Sequence, residues 1–350
     1  MRYTLTAGLL ALAATPAFAG GIERSNQSMN ILFQQGRYLE VGATYGAPKV
    51  SGNVVIPPAP GATGNISKSF FTGSVSYKAD INEQLSYAVI VDQPFGADVL
   101  YPVGTTLGRS SGKISNTTLT AVARYKFGNG FSAYAGLRSS WTSGKVFLSI
   151  VPPAGYNMVA ANDQAFGYLL GVAYERPEIA MRVALTYSSK IKHTFNHTVN
   201  GGLAGTFSTN IPQSVNLEFQ TGVAEGTLVF GSIRWVDWTD FNISPAGVPN
   251  LVAYQKDSVT YTLGVGRRFN ENWSGSVSIS HDTGNGNPTS NLGPIGKRNS
   301  IGVGVSYTKD AMTISGGVQY TRLGSARTTL GSTFGSNSAI GAGVRVGFRF

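Results

Sequence analysis

The sequence predicts an all-β fold: a closed barrel of fourteen antiparallel strands spanning a membrane, with a short N-terminal plug. Three observations carry that prediction. Apolar residues alternate with small or polar ones in runs of about ten residues, the length a tilted strand needs to cross a bilayer. The links between runs alternate between tight turns and long stretches rich in Gly, Pro, Asn and Ser. Composition adds 45 Gly, 16 Tyr and 18 Phe with only 13% charged residues, well below the roughly 25% of ordinary soluble domains.

In chain order, residues 1–19, MRYTLTAGLLALAATPAFA, carry one charge at Arg2, an apolar run from Leu5 to Ala14 and an Ala17-Phe18-Ala19 ending. This is the pattern of a secretory signal peptide cut before Gly20. Its loss removes one Arg and no acid, so the net charge goes from +10 to +9. Residues 20–36 form the expected plug, in which Met29, Ile31, Leu32 and Phe33 make an apolar cluster after a polar stretch, suited to a short turn or helix in the bore. Residues 37–350 supply the barrel, with strands expected near 37–46, 68–78, 84–97, 115–127, 131–148, 165–174, 180–197, 214–222, 226–239, 257–268, 272–282, 299–308, 311–323 and 339–350.

The alternation is clearest at the C-terminus, where Ile340, Val344, Phe348 and Phe350 oppose Gly341, Gly343, Arg345 and Arg349. Upstream, Leu119, Ala121, Ala123, Tyr125 and Phe127 oppose Thr120, Arg124 and Lys126. Tight turns such as 128–130 and 309–310 alternate with long links such as 47–67, 98–114, 149–164 and 198–213. Short turns at one rim and long loops at the other fit an outer-membrane barrel, whose closure removes edges that lipid cannot satisfy. Tyr45, Tyr125, Trp141, Trp238, Trp273 and Tyr320 fall near strand ends, as interfacial girdles require.

Other classes fit poorly. Without cysteine there is no disulfide framework and no Cys-based metal site. No stretch beyond the signal approaches the roughly 18 apolar residues of a spanning helix. The basic balance comes without a basic run or a helix to enter a groove, so nucleic acid is not an expected partner. A soluble sandwich would show a polar outward face. For an enzyme, the three His at 193, 197 and 281 offer no Ser–His–acid spacing. His193 and His197 share one strand face, expected at headgroup level, and lack a third metal ligand. No activity of that kind, no cofactor and no metal are expected.

The stretch IVDQPFGADV at 90–99 puts a proline and a glycine into a strand pattern. On the residues alone it fits either a strand that ends early, leaving DQPFGADV in a loop, or a strand that continues through a kink. Inward-facing Arg124, Arg138, Arg182, Arg268 and Arg345 offer cations for a substrate carboxylate, or pair with Glu40 and Glu218 in an interior ladder. The links 149–164 and 198–213 hold Val151, Tyr156, Met158, Val159, Leu203, Phe207 and Ile211, more apolar than loops bathed in water. Tyr156, Met158 and Phe207 are therefore expected in an external greasy groove.

The strand count, together with QPFGA at 93–97, YERPEIAMRVALTYSSKIKH at 174–193, LVFGSIRWVDWTDF at 228–241 and KDSVTYTLGVGRRF at 256–269, resembles the FadL long-chain fatty-acid transporter family over nearly all of the mature chain. The resemblance implies a monomeric outer-membrane barrel that passes long-chain fatty acids or other hydrophobic compounds without an energy source. It also implies an N-terminal hatch and a kink in the third strand, selecting the second reading of QPFGA and placing Pro94, Phe95 and Gly96 at a sideways exit. The implied partners are the hydrophobic substrate, outer-membrane lipid and, through the terminal Phe350, the outer-membrane assembly machinery. The plug is shorter than that family's hatch and lacks its Asn-Pro-Ala segment. A general porin for small polar solutes is the competing reading.

Overall fold

The computed structural model describes residues 21–55, 60–248, 250–335 and 337–350. The expected signal peptide lies outside them. Fourteen strands close into one antiparallel barrel: β1 Tyr38–Lys49, β2 Phe70–Asp80, β3 in two pieces (Leu85–Asp92 and Gly96–Leu100), β4 Ser111–Gly128, β5 Phe131–Leu148, β6 Tyr156–Arg176, and β7 in two pieces (Met181–Ser188 and Ile191–Val199). There follow β8, also in two pieces (Gly202–Ile211 and Ser214–Ala224), β9 Thr227–Val236, β10 Ser258–Arg268, β11 Trp273–Asp282, β12 Arg298–Lys309, β13 Met312–Leu323 and β14 Asn337–Arg349. Closure comes from β1 against β14, running from Tyr38↔Arg349 to Lys49↔Ser338.

The period-two pattern sorts lipid from lumen. Val41, Phe71, Leu137, Phe166, Val172, Val265, Ile279, Val303 and Ile340 are exposed on the outside, whereas Ser76, Thr120, Ser132, Thr186 and Thr321 are buried within. With no water in the hydrocarbon, an outward apolar side chain is at its most stable there, and each backbone polar group must find a partner in the ladder.

Three expectations are corrected. The links 149–164 and 198–213 are largely strand, because β6 begins at Tyr156 and Gly202–Ile211 pairs with Ile191–Val199. These segments rise beyond the apolar belt, where outward positions become polar (Asn162, Gln164, Lys192, Asn196, all exposed) and the lipid pattern stops. The hairpin turns at Asn200-Gly201 with φ of +50° and +84°, the positive-φ pair a two-residue hairpin turn needs. Second, His193 and His197 face inward and are 0% and 2% exposed, not at headgroup level. In β7 the inward set changes from Ala184, Thr186 and Ser188 to Ile191, His193 and Phe195, so the irregularity near Ser189 flips the face. Third, Trp238 is wholly buried and joins no girdle. It begins a 3-10 turn, Trp238–Asp240, that carries the chain inward from the rim beyond β9.

Candidate functional site: the plugged lumen, the wall break and the outer chamber

The N-terminal segment threads the bore from the short-turn rim upward. At its base Asn30–Phe33 forms one 3-10 turn, and Met29, Ile31, Leu32 and Phe33 are all buried. They pack on Ala88, Val122, Tyr134 and Leu169 of the barrel's inner face. Two guanidinium groups, Arg124 and Arg182, each stand over the Phe33 ring 4.4 Å from its centroid. Cations over the faces of a buried ring hold it in place. Arg124 also donates to Leu32 O at 3.2 Å and pairs with Glu175. Arg182 donates to Asn30 Oδ1 at 2.5 Å, and Arg138 donates to Gln27 Oε1. Three of the five inward arginines, Arg124, Arg138 and Arg182, thus engage the plug. Of the two acids expected as interior partners, Glu218 accepts from Ser28 Oγ of the plug at 2.5 Å, whereas Glu40 sits 3.9 Å from Arg345 on the neighbouring strand, as an interior ladder requires.

Higher up, Glu23 and Arg234 form an enclosed pair, with Nη2 2.5 Å from Oε1 and side chains 0% and 4% exposed. Sequence reading missed this pair, although the signal was present. Glu23 and Arg24 are the sole charges in residues 20–36, and Arg234 falls on the inward parity of β9.

The plug's upper end meets the wall where β3 is interrupted. The β2–β3 ladder stops at Val75↔Val91. On the other side, β3 pairs with β4 at Asp92↔Thr118 and next at Gly96↔Ser115, so three residues, 93–95, stand opposite two, 116 and 117. Pro94 has no N–H to offer a ladder. Its carbonyl accepts from Arg24 N at 2.7 Å, while Gly96 N donates to Ile22 O at 2.9 Å, so plug backbone replaces a wall strand. On the β2 side, Phe70–Ser74 pairs only with β1. Contact with β3 resumes above at Ser67↔Val99. Residues 69–74 and 92–97 therefore flank a window about 20 Å long along the strands, at roughly 3.3 Å per residue. Gly73 presents open space there. The Arg24 guanidinium crosses the window's inner side, 4.3 Å from the Phe70 ring centroid, and a Cβ at Gly96 would lie 2.5 Å from its Cζ. Burial lowers the pKa of Arg24 and nearby Asp98 partly restores it.

Phe95, 3% exposed, points from the kink into an apolar chamber at the outer end. Met158, Phe207, Ile211, Phe241 and Leu251 line it with Phe95, around a cavity of about 70 Å³. Tyr156 packs in the same cluster, its Oη donating to Ala246 O at 2.8 Å. The structure thus gathers Tyr156, Met158 and Phe207 with the kink, as enclosed chamber wall instead of an open groove. Leu203 and Val159 do not join them: one is 82% exposed at the hairpin tip, the other faces outward. The long link after β9 covers the chamber with Trp238, Phe241 and Tyr254 stacked edge to face or tilted. Burial pushes the Tyr254 phenol up, so it stays neutral.

A hydrogen-bonded chain closes one side of the chamber, and here the sequence reading is corrected again. Asp163 Oδ2 lies 2.8 Å from His193 Nδ1, and His193 Nε2 lies 3.2 Å from both Ser140 Oγ and Thr142 Oγ1. A Ser–His–acid chain therefore exists that spacing did not reveal, because its members come from three adjacent strands. Ser140 is 0% exposed and its Oγ is held by Asn116 Nδ2 at 2.8 Å. It is a buttress of the wall, not a nucleophile facing the cavity.

A closed barrel threaded by its own N-terminus, with an apolar chamber outside and a break in the lipid-facing wall, defines a plugged outer-membrane passage protein. The chain belongs to the OMPP1/FadL/TodX family of outer membrane transport proteins, whose profile matches residues 10–333. In fold it is similar to a FadL homologue from Pseudomonas aeruginosa (TM-score 0.72, 15% identity, covering 91% of this chain and 92% of that one). It is likewise similar to the toluene transporter TodX of Pseudomonas putida (0.68, 13%, 96% of each) and the toluene transporter TbuX of Ralstonia pickettii (0.63, 14%, 91% and 90%). No curated protein matches the chain by sequence.

Proposed function

We propose that the protein passes small hydrophobic compounds passively through the outer membrane, collecting them in the outer chamber and releasing them sideways into the bilayer between β2 and β3. The observation that carries this reading is the missing ladder between residues 69–74 and 92–97. Unpaired backbone at membrane depth is costly unless it lines a cavity or is covered by protein, so such a break is kept for a use. Pro94 and Gly96 make the break, Phe95 separates chamber from window, and Arg24 is the part that must move for cargo to leave. Tyr156, Met158 and Phe207 form the collecting surface. Arg124, Arg138 and Arg182 are assigned to holding the plug.

Cargo travelling this way moves down its own concentration gradient and never crosses the polar short-turn mouth, lined by Asp80, Lys126, Glu175 and Arg268. Two of the structural neighbours are toluene transporters, and a compact chamber favours cargo of that size over long acyl chains. The test uses the absence of native cysteine. Gly73 N lies 3.3 Å from Gln93 Oε1 across the window, so Gly73→Cys with Gln93→Cys puts a thiol on each edge, and a short bis-thiosulfonate linker staples them through reducible bonds. Uptake of a labelled hydrophobic probe is expected to fall to background when the staple is in place and to return on reduction. Full uptake through the stapled protein would reject the sideways route.

A further inference from the structure

The outer chamber is apolar except at one corner, and that corner specifies a cargo more narrowly than hydrophobicity does. Four polar side chains meet there. Asn116 Nδ2 donates to Thr142 Oγ1 at 2.8 Å, and Thr142 Oγ1 lies 3.2 Å from His193 Nε2. His193 is the direct register partner of Thr209 across the β7–β8 hairpin. The first three satisfy one another. The Thr209 hydroxyl is buried against the chamber and has no partner among the described residues. A buried hydroxyl without a partner is uncommon, and a ligand that supplies one gains what an apolar ligand cannot.

From this corner we infer that the chamber prefers small, neutral, single-ring compounds carrying one hydroxyl, of the phenol or cresol class, to plain hydrocarbons. The inference rests on the passage reading above and narrows its cargo. Neutrality follows from charge. Lys113 and Lys145 border the cavity, but both are exposed, Lys113 lies 3.8 Å from Asp98, and neither reaches the polar corner, where Asp163 stands directly behind His193. A carboxylate beside Thr209 would face Asp163 across His193. Size follows from the cavity, whose 70 Å³ is under half of the roughly 150 Å³ that admits benzene. A single ring therefore asks the lining to give far less than a long chain does.

The test measures saturable binding of radiolabelled p-cresol, toluene and benzoate to the mature protein in nanodiscs, corrected with empty nanodiscs. Wild-type protein is expected to bind p-cresol about three- to tenfold more tightly than toluene, the worth of one buried hydrogen bond, with benzoate weakest. Thr209→Val should abolish the cresol advantage and leave toluene binding unchanged, which also shows that the chamber is intact. Equal binding of cresol and toluene by wild type, or an advantage that survives Thr209→Val, overturns the polar corner while passage stands. If none of the three probes binds above the empty nanodisc, both readings fall.

Discussion

Glu23 is the residue on which the plug's position depends most. Its carboxylate is out of solvent, contacts Arg234 through both Nε and Nη2, and accepts from Gln27 Nε2 at 2.9 Å. Removing one member of an enclosed ion pair leaves the other charged and unsolvated, which costs about 3–5 kcal/mol, whereas replacing both with apolar groups is far milder. Glu23→Gln is therefore expected to lower the thermal unfolding midpoint of the purified barrel, and Glu23→Gln with Arg234→Met to recover most of the loss. An equal or larger loss in the double variant would show that the pair does not act as a unit. The pair also shows what the sequence withholds. Its members are 211 residues apart, and alternation states that Arg234 faces inward without saying what it faces.

At the level of elements, lipid makes the barrel legible and water hides the rest. Wherever a strand crosses hydrocarbon its outward side chains must be apolar, so Ile301, Val303 and Val305 announce a strand in any reading. Above the belt that requirement lapses, and the upper parts of β6 and β8 read as loops. The break was legible for a different reason, because Pro94 removes a donor that no neighbour can replace, but only the family resemblance chose a kink over an early strand end. One element has no sequence signal at all. The β6–β7 ladder ends at Ser188↔Leu169 and resumes at His197↔Ala160. Between them the Asp163 carboxylate substitutes for the backbone, accepting from Thr194 N at 3.3 Å and contacting His193. Losing a hydrogen bond to a charged acceptor costs about 1.5–3 kcal/mol. Asp163→Ala should speed amide exchange in residues 190–196 at least about tenfold, since 1.4 kcal/mol corresponds to a factor of ten. The β12–β13 ladder, paired without a gap from Arg298↔Leu323 to Lys309↔Met312, should be unaffected. Unchanged exchange in 190–196 would mean that other contacts hold the seam.

For the whole molecule, the question is whether the cylinder conducts along its axis or across its wall. The plug divides the bore into two spaces. One, of about 170 Å³, runs narrowly beside the plug from Gly73 and Gln93 to Tyr38, Thr313 and Gly347; the other, of about 630 Å³, opens at the short-turn rim. Between them stand Phe33 under its two arginines and the contacts of Asn30, Ser28 and Gln27 with three different strands. A polar solute too large for the narrow space beside the plug must displace this layer to cross, whereas cargo leaving through the window need move only Arg24, the Gln93 side chain that bonds Gly73 N, and the segment around them. The barrel closes through β1 and β14 without help from the plug, so the two routes can be separated. In planar bilayers the mature protein is expected to be nearly silent, and a variant lacking residues 21–33 to give large, steady, ohmic steps. The staple at positions 73 and 93 should leave both conductance results unchanged while it blocks uptake of the hydrophobic probe. Large ion-selective steps from the intact chain would make the axis the route, and the protein would then be a general porin with a dispensable break in its wall.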